Sequence, residues 1–169
     1  CTINTEAAFN MMGSVFEADD SVDYTTLFEP TASEFEATGR GYIVASVGEE
    51  SGEVPYTAFA ALGSYLEKER ETAKAFLGAV RRGYEFMCES TPAEVAKSLA
   101  PSFDGTSEES LAIAVESYLA IDAWCSTPVM TEESLVRLQE IMENAGELEK
   151  RVSFDDIVDN SIAEEIMKQ

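Results

Sequence analysis

Carboxylates are the most plentiful reactive groups in this chain: 33 Asp and Glu stand against 11 Lys and Arg among 169 residues, a formal charge of −22 at pH 7. With acids this dense, most carboxylate pairs are solvated faces rather than acid–base couples. No histidine is present, which removes the commonest general base, the commonest metal ligand, and the Ser-His and Cys-His nucleophile systems. Cys1, Cys88 and Cys125 are too few and too scattered for a disulfide framework or a Cys-x-x-Cys metal site, although a bridge between Cys88 and Cys125 stays open on spacing alone. Asp19, Asp20 and Asp23 lack the residue order and the distal Glu of a calcium loop, and read as a turn. Gly39-Arg40-Gly41 and the run Gly48 to Gly52 come with no phosphate-loop lysine and no dinucleotide fingerprint, so they too read as turns. Trp124, the single tryptophan, reads as a packing residue. No metal or cofactor is expected, and an enzyme would have to run on carboxylates alone.

One carboxylate stands apart. Glu29 follows the run Val22 to Phe28, rich in β-branched and aromatic residues, and precedes Pro30. At the carboxyl end of a parallel strand it would lie where open α/β sheets bind small molecules. At the start of a helix it would equally complement the helix dipole. The charge of the whole chain bears on partners as well, because phosphate binding needs clustered Lys and Arg, and no nucleic acid or anionic membrane is expected.

The elements that must position Glu29 follow from periodicity and punctuation. Ile3, Ala7, Met11 and Val15 step by four, which predicts a helix from Ile3 to Phe16. Val22 to Phe28 predicts a strand, Pro30 to Gly39 a helix with glycine as its C-cap, and Tyr42 to Val47 a second strand. That β-α-β order implies a parallel pair with a right-handed crossover, an α/β fold. Val54 to Ala61 predicts a further extended segment, with Pro55 keeping Val54 out of the helical region. Beyond Leu62 the pattern turns helical: Ala73, Phe76, Leu77, Val80, Tyr84 and Met87 form one stripe, Thr91-Pro92-Ala93-Glu94 and Thr106-Ser107-Glu108-Glu109 are capping boxes, Thr131 opens a helix ending near Gly146, and Ser153 opens the last one. No run approaches the length of a membrane span, and no signal peptide precedes Cys1.

Three stretches carry a resemblance: Leu27-Phe28-Glu29-Pro30-Thr31-Ala32-Ser33, Gly41-Tyr42-Ile43-Val44-Ala45-Ser46-Val47-Gly48-Glu49, and Ser51-Gly52-Glu53-Val54-Pro55-Tyr56-Thr57. Together with Thr72 to Leu77, Arg82 to Phe86, Thr91 to Glu94 and Val152 to Asn160, they resemble the second half of the substrate-binding proteins of ABC importers, in the branch that handles thiamine-pyrimidine precursors, alkanesulfonates, taurine and nitrate. The resemblance implies the second lobe of a periplasmic-binding-protein-like α/β fold, with 1–54 as the remainder of that lobe and 55–169 as a crossing strand followed by a mainly helical part. It implies an extracytoplasmic, non-catalytic solute-binding component of a bacterial uptake system, partnered by the ABC permease of the same system. Glu29 would accept hydrogen bonds from an aminopyrimidine-like ligand, Phe28 or Tyr56 would form an aromatic wall, and Pro55-Tyr56-Thr57 a floor.

Family chains are about twice as long, so the resemblance places the start of this chain beyond the first lobe, and Cys1 is then not expected to be a receptor's lipidated cysteine. Phe59, Phe76, Leu138, Ile157 and Ile162 are candidates for faces left uncovered, which favours a homodimer. An alkanesulfonate, taurine or nitrate ligand, and a lobe that serves only as an interaction module, are the alternatives. A pyrimidine synthase of the same fold family consumes its own histidine, which this chain lacks.

Overall fold

Proline, glycine and capping hydroxyls set the helix boundaries in the structure, a computed structural model that describes residues 2–168. In chain order the helices are α1 (Met12–Ala18), entered through a 3-10 turn at Phe9–Met11, α2 (Thr31–Ala37), α3 (Val47–Ser51), α4 (Gly63–Lys68), α5 (Arg70–Glu89), α6 (Pro92–Leu99), α7 (Glu108–Ala120), α8 (Glu132–Asn144), α9 (Phe154–Ile157) and α10 (Ser161–Ile166). Pro92 occupies the first position of α6, where its missing N–H costs no hydrogen bond. The Ser107 hydroxyl accepts from the Ser110 N–H at 3.1 Å and starts α7. Thr131 does the same for Ser134 at 3.2 Å and starts α8. At the far end of α8, Gly146 takes φ +79° and the Glu147 N–H reaches back to the Met142 carbonyl at 2.9 Å. That left-handed closure is the one glycine permits at no steric cost.

The α/β fold class expected from the sequence is overturned. Helix accounts for 57% of the described residues, and no strand or sheet occurs among them. Val22 to Phe28, Tyr42 to Ser46 and Val54 to Ala61 are all irregular. Their β-branched and aromatic composition expresses a preference for a pleated surface with neighbours to pack on, and such a preference makes a strand only where a partner ladder exists. Tyr42 and Val44 instead stand 83% and 73% exposed. The crossing strand falls with the sheet, and so does the lobe architecture built on it. Two shorter corrections concern helices. Residues 3–8 are irregular and the first helix begins only near Met12. The expected loop at Gly48 to Gly52 is α3, with Glu49 and Glu50 in its first turn favouring the dipole and Gly52 at φ +69° beyond its end.

Two compact units result, and each draws on two stretches of chain. The first comprises 1–46 and 92–117, the second 47–91 and 118–169. In the first unit the buried apolar residues are Phe35 of α2, Val95 and Ala96 of α6, and Leu111, Ala114 and Val115 of α7, the last three at helical steps of three and four. In the second they are Leu135 of α8 and Ile162, Ala163 and Ile166 of α10. Ile162, expected on an uncovered face, is thus a core residue. By contrast α5, twenty residues long, buries none of them. Its Phe76 meets Phe59 edge-on, ring centroids 4.8 Å apart.

Where strands are missing, side-chain amides supply peptide-like pairing. The Gln139 Oε1 accepts from the Val152 N–H at 2.7 Å while its Nε2 donates to the Val152 carbonyl at 3.3 Å. Asn160 treats Met130 in the same way, accepting from its N–H at 3.1 Å and donating to its carbonyl at 2.8 Å. Each amide satisfies both backbone groups of one irregular residue.

Helix α10 is tied to α5 by charge. Glu165 accepts from Lys74 and, at 3.2 Å, from Arg70, which also donates to the Ser161 hydroxyl at 3.2 Å. Arg81 donates to the Ile166 carbonyl at 2.6 Å, which satisfies a helix-terminal acceptor with a cation, the favoured sign at that end. Hydrogen bonds from Lys74 and then Arg70 hold the Glu165 carboxyl below its usual range. A carboxyl lowered in the folded state contributes stability that is fully present above the ordinary value of about 4.3 and fades as the pH falls through the lower folded value. Glu165→Gln is therefore expected to melt below the parent chain at neutral pH, with the two melting temperatures converging as the pH is taken down to about 3. A gap that stays constant across the titration would show that the tie acts through shape alone.

Candidate functional site

In the first unit, Gly13 brings the backbone of α1 up to the ring of α2's Phe35. A Cβ there would lie 3.0 Å from Phe35 Cζ. That approach forms one wall of a cleft of about 280 Å³. Phe9 and Phe28 form another, their rings 5.3 Å apart and tilted at 47°. Asn10, Ser14 and Thr31 add an amide and two hydroxyls to the lining. At one end the Arg40 guanidinium lies 4.1 Å from the centre of the Phe35 ring, a cation–π stack. It donates to the Thr38 hydroxyl at 2.7 Å and to Glu17 at 3.3 Å. The loop that aims Arg40 is closed by Gly39 at φ +71°, with the Arg40 N–H donating to the Phe35 carbonyl at 2.8 Å. Apolar walls with a few placed polar groups suit recognition of a small molecule.

Of the residues expected to bind a ligand, Phe28 lines this cleft and Glu29 lies beside it in sequence. Both Glu29 carboxylate oxygens accept hydrogen bonds from Ser33, one from its N–H at 3.1 Å and one from its hydroxyl at 2.9 Å. The carboxylate thus faces the N-terminal turn of α2. Pro55, Tyr56 and Thr57 belong to the second unit, where Tyr56 is 69% exposed and its N–H donates to the Val54 carbonyl at 2.9 Å. Phe9, Asn10 and Ser14 were not singled out in the sequence, and Arg40 was read only as part of a turn. Arg40 carried the only available signal, a cation flanked by glycines in a chain short of cations.

No protein-family profile matches the chain, and no solved structure matches it. Over 152 residues the chain is 36% identical to a protein of Bacillus subtilis (strain 168) that bears the name "Putative binding protein YtlA". The alignment takes in 90% of this chain and 46% of the relative, so the chain spans less than half of the relative's length.

The other groups considered for chemistry fall into structural places. Asp19 accepts from the Ser21 N–H and hydroxyl at 2.9 and 2.6 Å, bonds that lower its pKa and close a turn. No group of three His, Cys, Asp or Glu able to hold a metal ion occurs among the described residues. Cys88 and Cys125 are unbridged thiols, and burial pushes the Cys125 thiol up. Cys1 lies outside the described residues. Trp124 packs edge-on against Tyr118 at 5.4 Å. Among the described residues no helix is long and apolar enough to cross a membrane.

Glu29→Gln keeps one acceptor oxygen but removes the charge from the α2 N-terminus, and is expected to cost about 0.3–1 kcal/mol of stability by chemical denaturation. A variant as stable as the parent would show that Glu29 does not serve the helix start.

Proposed function

We propose that this chain is part of an extracytoplasmic, non-catalytic solute-binding protein of an ABC uptake system, and that its ligand is a small planar amine-bearing heterocycle of the aminopyrimidine type. The observation that carries the reading is the aromatic cleft. Its Phe9 and Phe28 rings offer π faces to a flat ring, and Asn10, Ser14 and Thr31 offer hydrogen-bond partners to ring nitrogens and an amino group. Similarity to a protein named for binding supports the role, and the order of sequence motifs supports the transport setting. A sulfonate or nitrate ligand is less well served, because the cation lining the cleft, Arg40, is already engaged by Glu17 and Thr38.

Calorimetry with aminopyrimidines, alkanesulfonates and nitrate tests this reading. Aminopyrimidine binding is expected, with Phe28→Ala weakening it by roughly three- to tenfold, the worth of one aromatic contact. Binding of sulfonate or nitrate in preference to every aminopyrimidine, weakened by Phe28→Ala and so located in the cleft, would overturn it.

The chain also exposes 12347 Å². A single-domain monomer of this mass would expose ~8,200 Å², and two separate domains of half the mass ~9,900 Å². Phe59, Leu62 and, on the α5 stripe, Phe76 and Val80 contribute to the excess. We propose that this chain buries part of the excess in a homodimer. Two chains of charge −22 repel each other, so association is expected to strengthen as salt screens that repulsion. Sedimentation should find a dimer that persists at higher salt. A monomer at all salt concentrations would rule the dimer out.

A further inference from the structure

Helix α5 holds a second recess, in the unit that does not contain the aromatic cleft. It measures about 400 Å³ and is lined by Glu71, Lys74, Ala75, Gly78, Arg81, Arg82 and Glu85 of α5, with Ile166 of α10 at its rim. These α5 positions recur at steps of three and four and share one helical face. Lys74, Arg81 and Arg82 outnumber Glu71 and Glu85 there, in a chain that as a whole has three acids for every base.

Arginine is scarce in this protein and almost always spent on a carboxylate. Arg40 pairs with Glu17, Arg70 with Glu165, Arg81 with Glu85, Arg137 with Glu133, and Arg151 with Glu140 and Glu143. Arg82 alone among the six arginines has no ion pair among the described residues. Its neighbours one turn away in either direction are Gly78 and Phe86, which hold no charge, and the acid three residues on, Glu85, is taken by Arg81 at 2.9 Å. The Arg82 guanidinium therefore lies along the recess, its Nη1 3.5 Å from the point where a Cβ on Gly78 would sit. Gly78 leaves the floor beneath it open.

We propose that this recess binds the oxyanion group of a small solute: a carboxylate, phosphate or sulfonate. Arg82 supplies the planar fork that receives two oxygens at once. Lys74 and Arg81 line the same recess but are already paired with Glu165 and Glu85, so Arg82 is the group that carries the anion. The site is independent of the aromatic cleft, and either can fail without the other.

The test titrates the 169-residue chain with inorganic phosphate, acetate and methanesulfonate in turn, against sodium chloride at matched ionic strength. Calorimetry and the NMR signals of the Gly78 amide and the Arg82 Nε–H serve as readouts. At least one oxyanion is expected to shift both signals and to saturate, and chloride is not; the rank order of the three names the preferred group. Arg82→Gln should weaken that binding by about tenfold or more, the scale of a lost charge-assisted fork, and Arg82→Lys by less. Arg151→Gln, which removes the same charge from beside Glu140 and Glu143 of α8, should leave it unchanged. Circular dichroism guards against unfolding, which is not expected of an exposed, unpaired residue. Equal responses to chloride, equal losses in the Arg82 and Arg151 variants, or unaltered binding in Arg82→Gln would each overturn the proposal.

Discussion

Glu165 answers two cations at once, and much of the second unit depends on that arrangement. Helix α5 buries none of its twenty residues, so its own apolar stripe cannot fix what lies against it. The apolar stripe of α10, Ile162, Ala163 and Ile166, supplies burial but allows sliding. Glu165 between Lys74 and Arg70, with Arg81 on the Ile166 carbonyl, sets the register. Exposed ion pairs are individually worth only about 0–1 kcal/mol, and their contribution here is placement more than strength. The same economy recurs where Arg137 joins the Glu53 carbonyl to Glu133 and Arg151 joins Glu140 to Glu143. In a chain so rich in acid, Arg70 and Lys74 select Glu165 out of many carboxylates and so help decide which helices meet.

What could be read from the sequence divides along a physical line. Helix starts at Pro92, Ser107 and Thr131 and the stop at Gly146 were legible, because a cap is a contact over three or four residues. The α5 stripe was legible for the same reason. The runs Val22 to Phe28 and Tyr42 to Val47 were misread as strands, because a strand exists only through a partner distant in sequence, and composition reports a preference for such a partner without providing one. The β-rich runs misled the fold class and, through it, the placement of Glu29 at a sheet edge. The pairing that does hold the irregular segments comes from Gln139 and Asn160, whose contacts span 13 and 30 residues and leave no local trace.

The candidate site shows the same division. Phe28 was named as an aromatic wall on the strength of the family resemblance, and it lines a cleft. Its partner ring, Phe9, lies nineteen positions away in a stretch that reads as the middle of a helix and is a 3-10 turn. The closeness of Gly13 to Phe35 could not be read locally either. An aromatic wall is thus visible one ring at a time in a sequence, and the cleft emerges only when packing joins them.

The two amide clamps impose an uneven tolerance to sequence drift. Gln139 and Asn160 grip backbone atoms, so Val152 and Met130 are held whatever side chains they carry, and those positions are free to vary as far as the clamps are concerned. The clamping residues have no such freedom. An acid in place of either amide keeps the acceptor and loses the donor, and sets a negative oxygen against a carbonyl in a protein already crowded with negative charge. In a lineage that has filled its surface with Asp and Glu, these are two places where the isosteric step to an acid is closed.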